Sequence, residues 1–378
     1  MVDQIDETVR SLRNLKHLHQ GESEKVIRWV RGESARRLAD GDPGYLGDLG
    51  IALLACHRDE PKAWQYQDIF DHLLRLLIGD AGKGDLGQAL RLIGAARHSG
   101  HDVDRVAAAL LAANRRRVSL TAVFAEDGST AGVSDTFRAC VVHELVLREG
   151  TISRRKTIAD WAASPAMRNQ PLGWLPLHLA PFELDGDQWP HATRPDRVAT
   201  VSPDVLASWP ATDLITPELS QALSAPVMNW VEDSNGRVET GVFGLAEPVR
   251  PQSVPEVLAG LGMDFLEPVD GPFRLDVHDT SVWDVWQTLF RAASGGGAYS
   301  RGCHGAYSRL FAWQALAALA GASANSPHDE VARSAQACTW HRFDGELPGF
   351  FRIFWDIGLV GVRPGGGSIA VLAATDTD

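Results

Sequence analysis

The chain has 378 residues, 44% of them hydrophobic and 22% charged, with 12 Trp and a formal net charge of −12. That is enough apolar material for two packed domains, and too much for a disordered chain. The acidic balance excludes nucleic acid as the default partner, no apolar run reaches the ~18–20 residues of a membrane span, and the start, Met1-Val2-Asp3-Gln4-Ile5, lacks the apolar core of a signal peptide.

Over residues 1–163 apolar residues recur at helical spacing, with breakers between the runs. This predicts helices at 3–19, 22–39, 46–57, 62–79, 85–99, 103–117, 134–148 and 155–163. Asp102 stands as an N-cap before Val106, Ala109, Leu110 and Ala113, and Gly41, Gly82 and Gly100 stand where helices should end. Of the basic runs, Arg115-Arg116-Arg117 reads as a helix end and Arg154-Arg155-Lys156 as a solvated helix start. Gly47-Asp48-Leu49-Gly50 returns as Gly84-Asp85-Leu86-Gly87, one helical hairpin later. Stacked helix pairs would produce such a repeat; two copies leave an irregular bundle equally open.

Residues 164–225 read as an ordered connector. Pro165, Pro171, Pro176, Pro181, Pro190 and Pro195 interrupt any long helix, yet Trp174, Leu175, Leu177, Leu179 and Phe182 are too apolar for a free linker.

Residues 226–378 predict an α+β domain with a mixed or antiparallel sheet. Runs 228–233 and 237–245 flank Ser234-Asn235-Gly236, a strong hairpin signal. A short helix near 254–261 and a strand over 272–277 follow. Asp279 or Thr280 then caps a helix in which Trp283, Trp286, Leu289 and Phe290 share one face. A helix over 305–320 carries Leu310, Trp313 and Leu316. The last element is a hairpin of 355–363 and 368–374 around Pro364-Gly365-Gly366-Gly367. Its second strand is apolar on both faces, which places it inside a sheet. The fold class is thus multi-domain, α and α+β: a helical-hairpin array or bundle, a connector, and a sheet domain.

No motif identifies a reaction. Cys56, Cys140, Cys303 and Cys338 form no CxxC pair, so neither a zinc ribbon nor a thioredoxin-type site is encoded, and sparse cysteines suit a reducing, cytoplasmic compartment. His143-Glu144 has no second His at zincin spacing and reads as a satisfied helix histidine, while His328-Asp329-Glu330 reads as an acidic helix start. Trp340-His341-Arg342-Phe343-Asp344, Asp376 and Asp378 are polar candidates that sequence cannot bring together.

The most unusual segment is 294–309, with Ala-Tyr-Ser-Arg twice around a glycine-rich stretch. Cys303-His304 replace the Lys-Ser/Thr of a phosphate-binding loop, and the preceding element is a helix. Backbone amides at a helix start, helped by Arg301 and Arg309, would hold an anion, with Gly297, Gly302, His304 and Gly305 beneath it and Tyr299 and Tyr307 as walls. The alternative is a structural turn whose glycines let two helices approach, with both arginines paired to carboxylates.

Three stretches carry a family resemblance: Asn229-Trp230 through Glu239, Gly297 through Leu310, and the ending Leu372-Ala373-Ala374-Thr375-Asp376-Thr377-Asp378. The chain resembles a family of uncharacterised actinobacterial proteins, a domain of unknown function, most strongly after about residue 225. The resemblance implies a bacterial cytoplasmic protein and supplies no reaction, cofactor or site residue. Two readings stay open: a protein-binding protein with a helical docking surface, and an enzyme or small-ligand binder taking an anionic molecule at 295–309. No cofactor or metal is implied.

Overall fold

The computed structural model describes all residues except 1, 14–19, 60–63, 80–84, 97–102, 115–119, 126–132, 185–195, 202–208, 268–270 and 324–325. The expected cap Asp102, the helix-ending Gly82 and Gly100, the run Arg115-Arg116-Arg117, Pro190 and Pro195 lie outside the described residues. The chain divides into two compact units, 1–173 and 174–378.

The first unit is helical: α1 (Val2–Arg13), α2 (Gln20–Ala39), α3 (Pro43–Asp59), α4 (Trp64–Gly79), α5 (Leu86–Ala96), α6 (Val103–Ala113), α7 (Asp135–Glu149), α8 (Lys156–Ala162) and α9 (Pro165–Arg168). Gly41 follows α2 at φ 83°, a conformation that costs glycine little. Two rows are built: α1 packs on α3 and α3 on α5, while α2 packs on α4 and α4 on α6. The glycines of the repeated segment explain one close approach. A Cβ at Gly50 would sit 2.6 Å from the Leu92 side chain of α5, and one at Gly47 would sit 2.4 Å from that of Gln88. Asp48 and Arg91 close the same seam at 2.8 Å. Helix α7 is largely buried. Ser134 caps it by accepting from the Phe137 amide at 2.9 Å, and Gly150 ends it in the left-handed conformation. Its His143 is fully buried, with Nε2 2.9 Å from the Leu172 carbonyl, the satisfied helix histidine the sequence suggested.

The second unit is α+β: β1 (Arg197–Val201), β2 (Ala211–Asp213), α10 (Pro217–Ser224), α11 (Met228–Asp233), β3 (Arg237–Leu245), α12 (Val254–Ala259), β4 (Phe273–Thr280), α13 (Val282–Gly295), α14 (His304–Ala320), α15 (His328–Ala337), β5 (Thr339–Gly345), β6 (Ile357–Val362) and β7 (Ser368–Thr375). The strands form one seven-stranded sheet in the order β1-β4-β5-β6-β7-β3-β2, antiparallel throughout. Strand β7 lies inside it, as its two apolar faces require. Ile369, Val371 and Ala373 join α12 and residues 263–266 in a core on one face. Ala370, Leu372 and Ala374 alternate to the other face, where α14 packs on β6 and β7. The segment 164–225 supplies α9 to the first unit and β1, β2 and α10 to the second.

Three local expectations are corrected. Residues 228–233 form helix α11 and not a strand. Ser234-Asn235-Gly236 ends that helix, with the Ser234 and Gly236 amides both donating to the Trp230 carbonyl at 3.1 and 3.0 Å. Neither Asn235 nor Gly236 has the positive φ of a tight hairpin, and β3 pairs instead with β7 and β2. The cap of α13 is Ser281 and not Asp279 or Thr280: Ser281 and Asp284 form a reciprocal capping box, because β4 runs on through Thr280. Residues 339–345 form strand β5, an element the sequence does not announce.

Candidate functional site

The loop between α13 and α14 is built by glycine. Gly296 turns the chain at φ 75°, and residues 302–303 then fold back over the end of α13, where the Cys303 amide donates to the Ala293 carbonyl at 2.8 Å. A Cβ at Gly302 would lie 1.8 Å from the Ser294 carbonyl oxygen, so only glycine permits this approach. His304 opens α14 at φ 58°, in the left-handed region.

Between these points three successive amides face side-chain oxygens. Gly297 N–H donates to Ser300 Oγ at 2.7 Å, Ala298 N–H to Asp376 Oδ2 at 2.6 Å, and Tyr299 N–H to Ser234 Oγ at 3.1 Å. Asp376 is fully buried. Its Oδ1 accepts from Ser234 Oγ at 3.0 Å and from the Thr377 amide at 2.9 Å. Asn235 Nδ2 donates to the Thr377 carbonyl at 3.1 Å. These amides are therefore occupied from within the chain, Ala298 by the Asp376 carboxyl group. Gly297 is required as well: a Cβ there would sit 1.9 Å from Asp376 Oδ2.

The two arginines do not meet. Arg309 is fully buried in α14, with Nε and Nη2 on the two Glu183 oxygens at 2.6 and 2.8 Å, and further bonds to the carbonyls of Pro176 and His178 at 2.9 Å each. It pins the 176–183 segment and is spent on that. The Arg301 carbonyl accepts from Asn229 Nδ2 at 2.8 Å, and its side chain is exposed. Tyr299 is 64% exposed, Tyr307 stands 5.8 Å from Phe311, and His304 and Gly305 are half-buried in the first turn of α14. Sequence reasoning passed over Ser234 and Glu183, and held Asp376 only as an unplaced candidate. The signal for Ser234 was hidden by its resemblance to a hairpin turn.

A second polar constellation crosses β1, β4 and β5. Arg197 grips Asp279 with two bonds, 2.6 and 2.9 Å, and Asp279 faces His341 across the β4–β5 ladder. His341 is fully buried, and its Nδ1 lies 2.8 Å from Asp279 Oδ1 without hydrogen-bond alignment. Burial pushes the imidazole below its ordinary value despite the nearby carboxylate. The Arg197 bond holds the Asp279 carboxyl below its own.

Two further features bear on binding. A cleft of about 590 Å³ lies beside β3, walled by Trp209, Phe243 and Met263 and rimmed by Asp213, Glu239 and Glu267. Among the described residues the four cysteines form no disulfide. Among the described residues no group of three or more His, Cys, Asp or Glu could hold a metal ion, and no helix is long and apolar enough to cross a membrane.

Residues 28–378 match the family described as a family of unknown function (DUF6183), and the chain belongs to that family. The match runs through both units. No curated protein and no solved structure matches the chain.

Proposed function

We propose, for this member of a family that carries no assigned activity, a cytoplasmic binding protein whose helical unit is a docking surface of stacked helix pairs and whose α+β unit is a recognition module. The observation that carries this reading is Trp29. It is 54% exposed on α2, while Trp230, Trp286, Trp313 and Trp340 of the other unit are buried. Glu22, Lys25, Gly32 and Arg36 share its exposed face at helical spacing, Arg28 is beside it, and Arg36 is paired with Glu33 and Asp40. Nothing lies within 4 Å of a Cβ built at Gly32, so a side chain from outside has room beside the indole. Trp and Arg together are the residues that most often anchor protein interfaces. A partner with an apolar pocket for the indole fits this face.

The two rows of α1–α6 support an array of helix pairs, which offers an extended surface of this kind. The small-ligand reading has less behind it, because the amides of 297–299 and the guanidinium of Arg309 already have carboxylate or hydroxyl partners.

A benzophenone side chain placed at position 29 of the full chain tests the reading by illumination in native lysate. One discrete adduct is expected from position 29 and none from the exposed position 218. Equal labelling from both positions, or none from 29, contradicts it.

A further inference from the structure

The connection from β5 to β6 is rich in aromatics: Phe350, Phe351, Phe354 and Trp355 within six residues. Phe350 turns inward, with its ring 5.6 Å from Phe265 and 5.9 Å from Phe343. Phe351 and Phe354 turn out, 53% and 74% exposed, and Phe354 is the most exposed large apolar side chain among the described residues. The turn that carries them is tied down. Asp356 accepts from the amides of Phe351 and Ile353 at 3.3 and 3.0 Å and from Thr375 Oγ1 at 2.6 Å, and its own amide donates to the Ile353 carbonyl at 3.1 Å. Arg352 is held at φ 61°, a conformation that a residue with a Cβ adopts at a cost. The protein thus builds a strained turn that presents two largely exposed phenyl rings, with Phe354 edge-on to Trp355 at 6.1 Å. The hydrophobic effect opposes that arrangement unless the rings are covered.

The cleft beside β3 stands on the same face of the sheet. Its walls Trp209, Phe243 and Met263 belong to the core that Phe265, Phe343 and Phe350 share. Residues 264–266 lie between prong and cleft: Glu239 accepts from the amides of Asp264 and Phe265 at 2.9 Å each, and Gly349 is packed against the Phe265 ring. At about 590 Å³ the cleft falls within the roughly 300–1,000 Å³ of ligand-sized sites. Its rim residues Asp213 and Glu267 are exposed carboxylates, and the prong carries Arg352 between its two phenylalanines. In an acidic chain of net charge −12, two copies repel unless a cation lies where they meet.

We propose that this face is the interface between two copies of the chain. Phe351 and Phe354 of each copy enter the cleft of the other and lie on its Trp209, Phe243 and Met263. Arg352 exchanges its exposed partner Glu346, now at 2.6 Å, for Glu267 and Asp213 of the second copy. Prong and cleft on one face, either side of residues 264–266, allow a two-fold arrangement in which both pairs form and the assembly closes. The partner is then set by apolar fit, and the register by charge.

Sedimentation equilibrium of the full chain over a wide concentration range tests this. The wild type is expected to be a dimer, and Phe354→Ser, alone or with Phe351→Ser, to be a monomer with an unchanged melting temperature. Arg352→Glu and Glu267→Arg should each weaken the dimer by about tenfold or more, and the double swap should restore it. A wild type that stays monomeric, or a dimer that survives loss of both phenylalanines, overturns the proposal. A double swap no tighter than either single variant overturns it too.

Discussion

Glu183 and Arg309 form a two-bond ion pair, 2.6 and 2.8 Å, in which neither side chain reaches solvent. The pair fastens a proline-rich segment with little regular structure to the longest helix of the sheet unit, and the Pro176 and His178 carbonyls accept from Nη1 and Nη2. A buried charge that is paired and hydrogen-bonded is tolerated; a buried charge whose partner is removed is not. Arg309→Ala or Glu183→Ala should therefore cost about 3–5 kcal/mol in denaturant unfolding, while replacing both by apolar residues of similar volume should cost much less. Equal losses for the single and double replacements would show that the pair acts through packing alone.

The Asp376 carboxylate makes a similar forecast on a smaller scale. Asp376→Ala leaves the Ala298 amide and the Ser234 hydroxyl without their acceptor, a loss of about 1–3 kcal/mol. Hydrogen exchange at the amides of Ala298 and Tyr299 should speed up selectively. Because the vacated cradle suits a carboxylate, added acetate should recover part of the lost melting temperature, whereas the wild type should not respond.

Acidification should weaken the fold through the Arg197–Asp279–His341 row, in two steps. The folded state holds His341 below its ordinary 6.5, so the unfolded chain takes up a proton first. The stability contributed is whole above pH 6.5 and declines as pH falls toward the folded value. Asp279 is also depressed, from 3.8, so its contribution is whole above pH 3.8 and is lost as pH falls through its lower folded value. His341→Leu should flatten the first step and Arg197→Met the second. His72 in the helical unit is depressed by burial in the same direction and should keep part of the first slope in the His341 variant.

Trp286 is buried in α13 with its ring stacked 5.0 Å from Phe290. Trp286→Ala should cost about 3–5 kcal/mol, through lost burial and the cavity left behind. A thermal melt unmoved by this substitution would mean that the helix packs elsewhere.

What sequence could reveal was mostly local. Apolar periodicity located α2, α4, α13 and α14 to within a few residues, and Pro364-Gly365-Gly366-Gly367 marked the β6–β7 hairpin, where Gly365 and Gly366 both take positive φ. Local chemistry also misled. Asn235-Gly236 has the composition of a hairpin turn, but Trp230, buried and bonded through Nε1 to the Ala292 carbonyl, holds the preceding residues in a helix. Strands β1 and β2 are short and lie at the two sheet edges, with little apolar alternation to announce them. The loop 295–309 stands out in sequence by its glycines, and its amides 297–299 bond side chains of the same chain. Which side chains they meet depended on Asp376 arriving from β7, and the fate of Arg309 depended on Glu183. Such long-range pairings leave no trace in spacing.

The most direct test of the binding reading is quantitative capture from native lysate with the full chain, comparing wild type with Trp29→Ala and Arg28→Glu. Both positions are exposed on α2, so both variants should fold and melt as the wild type does. A Trp anchor typically carries about 2 kcal/mol or more of binding, so the wild type should retain a partner that each variant loses by about tenfold or more. A partner retained equally by all three proteins, or none retained by the wild type, would contradict the account.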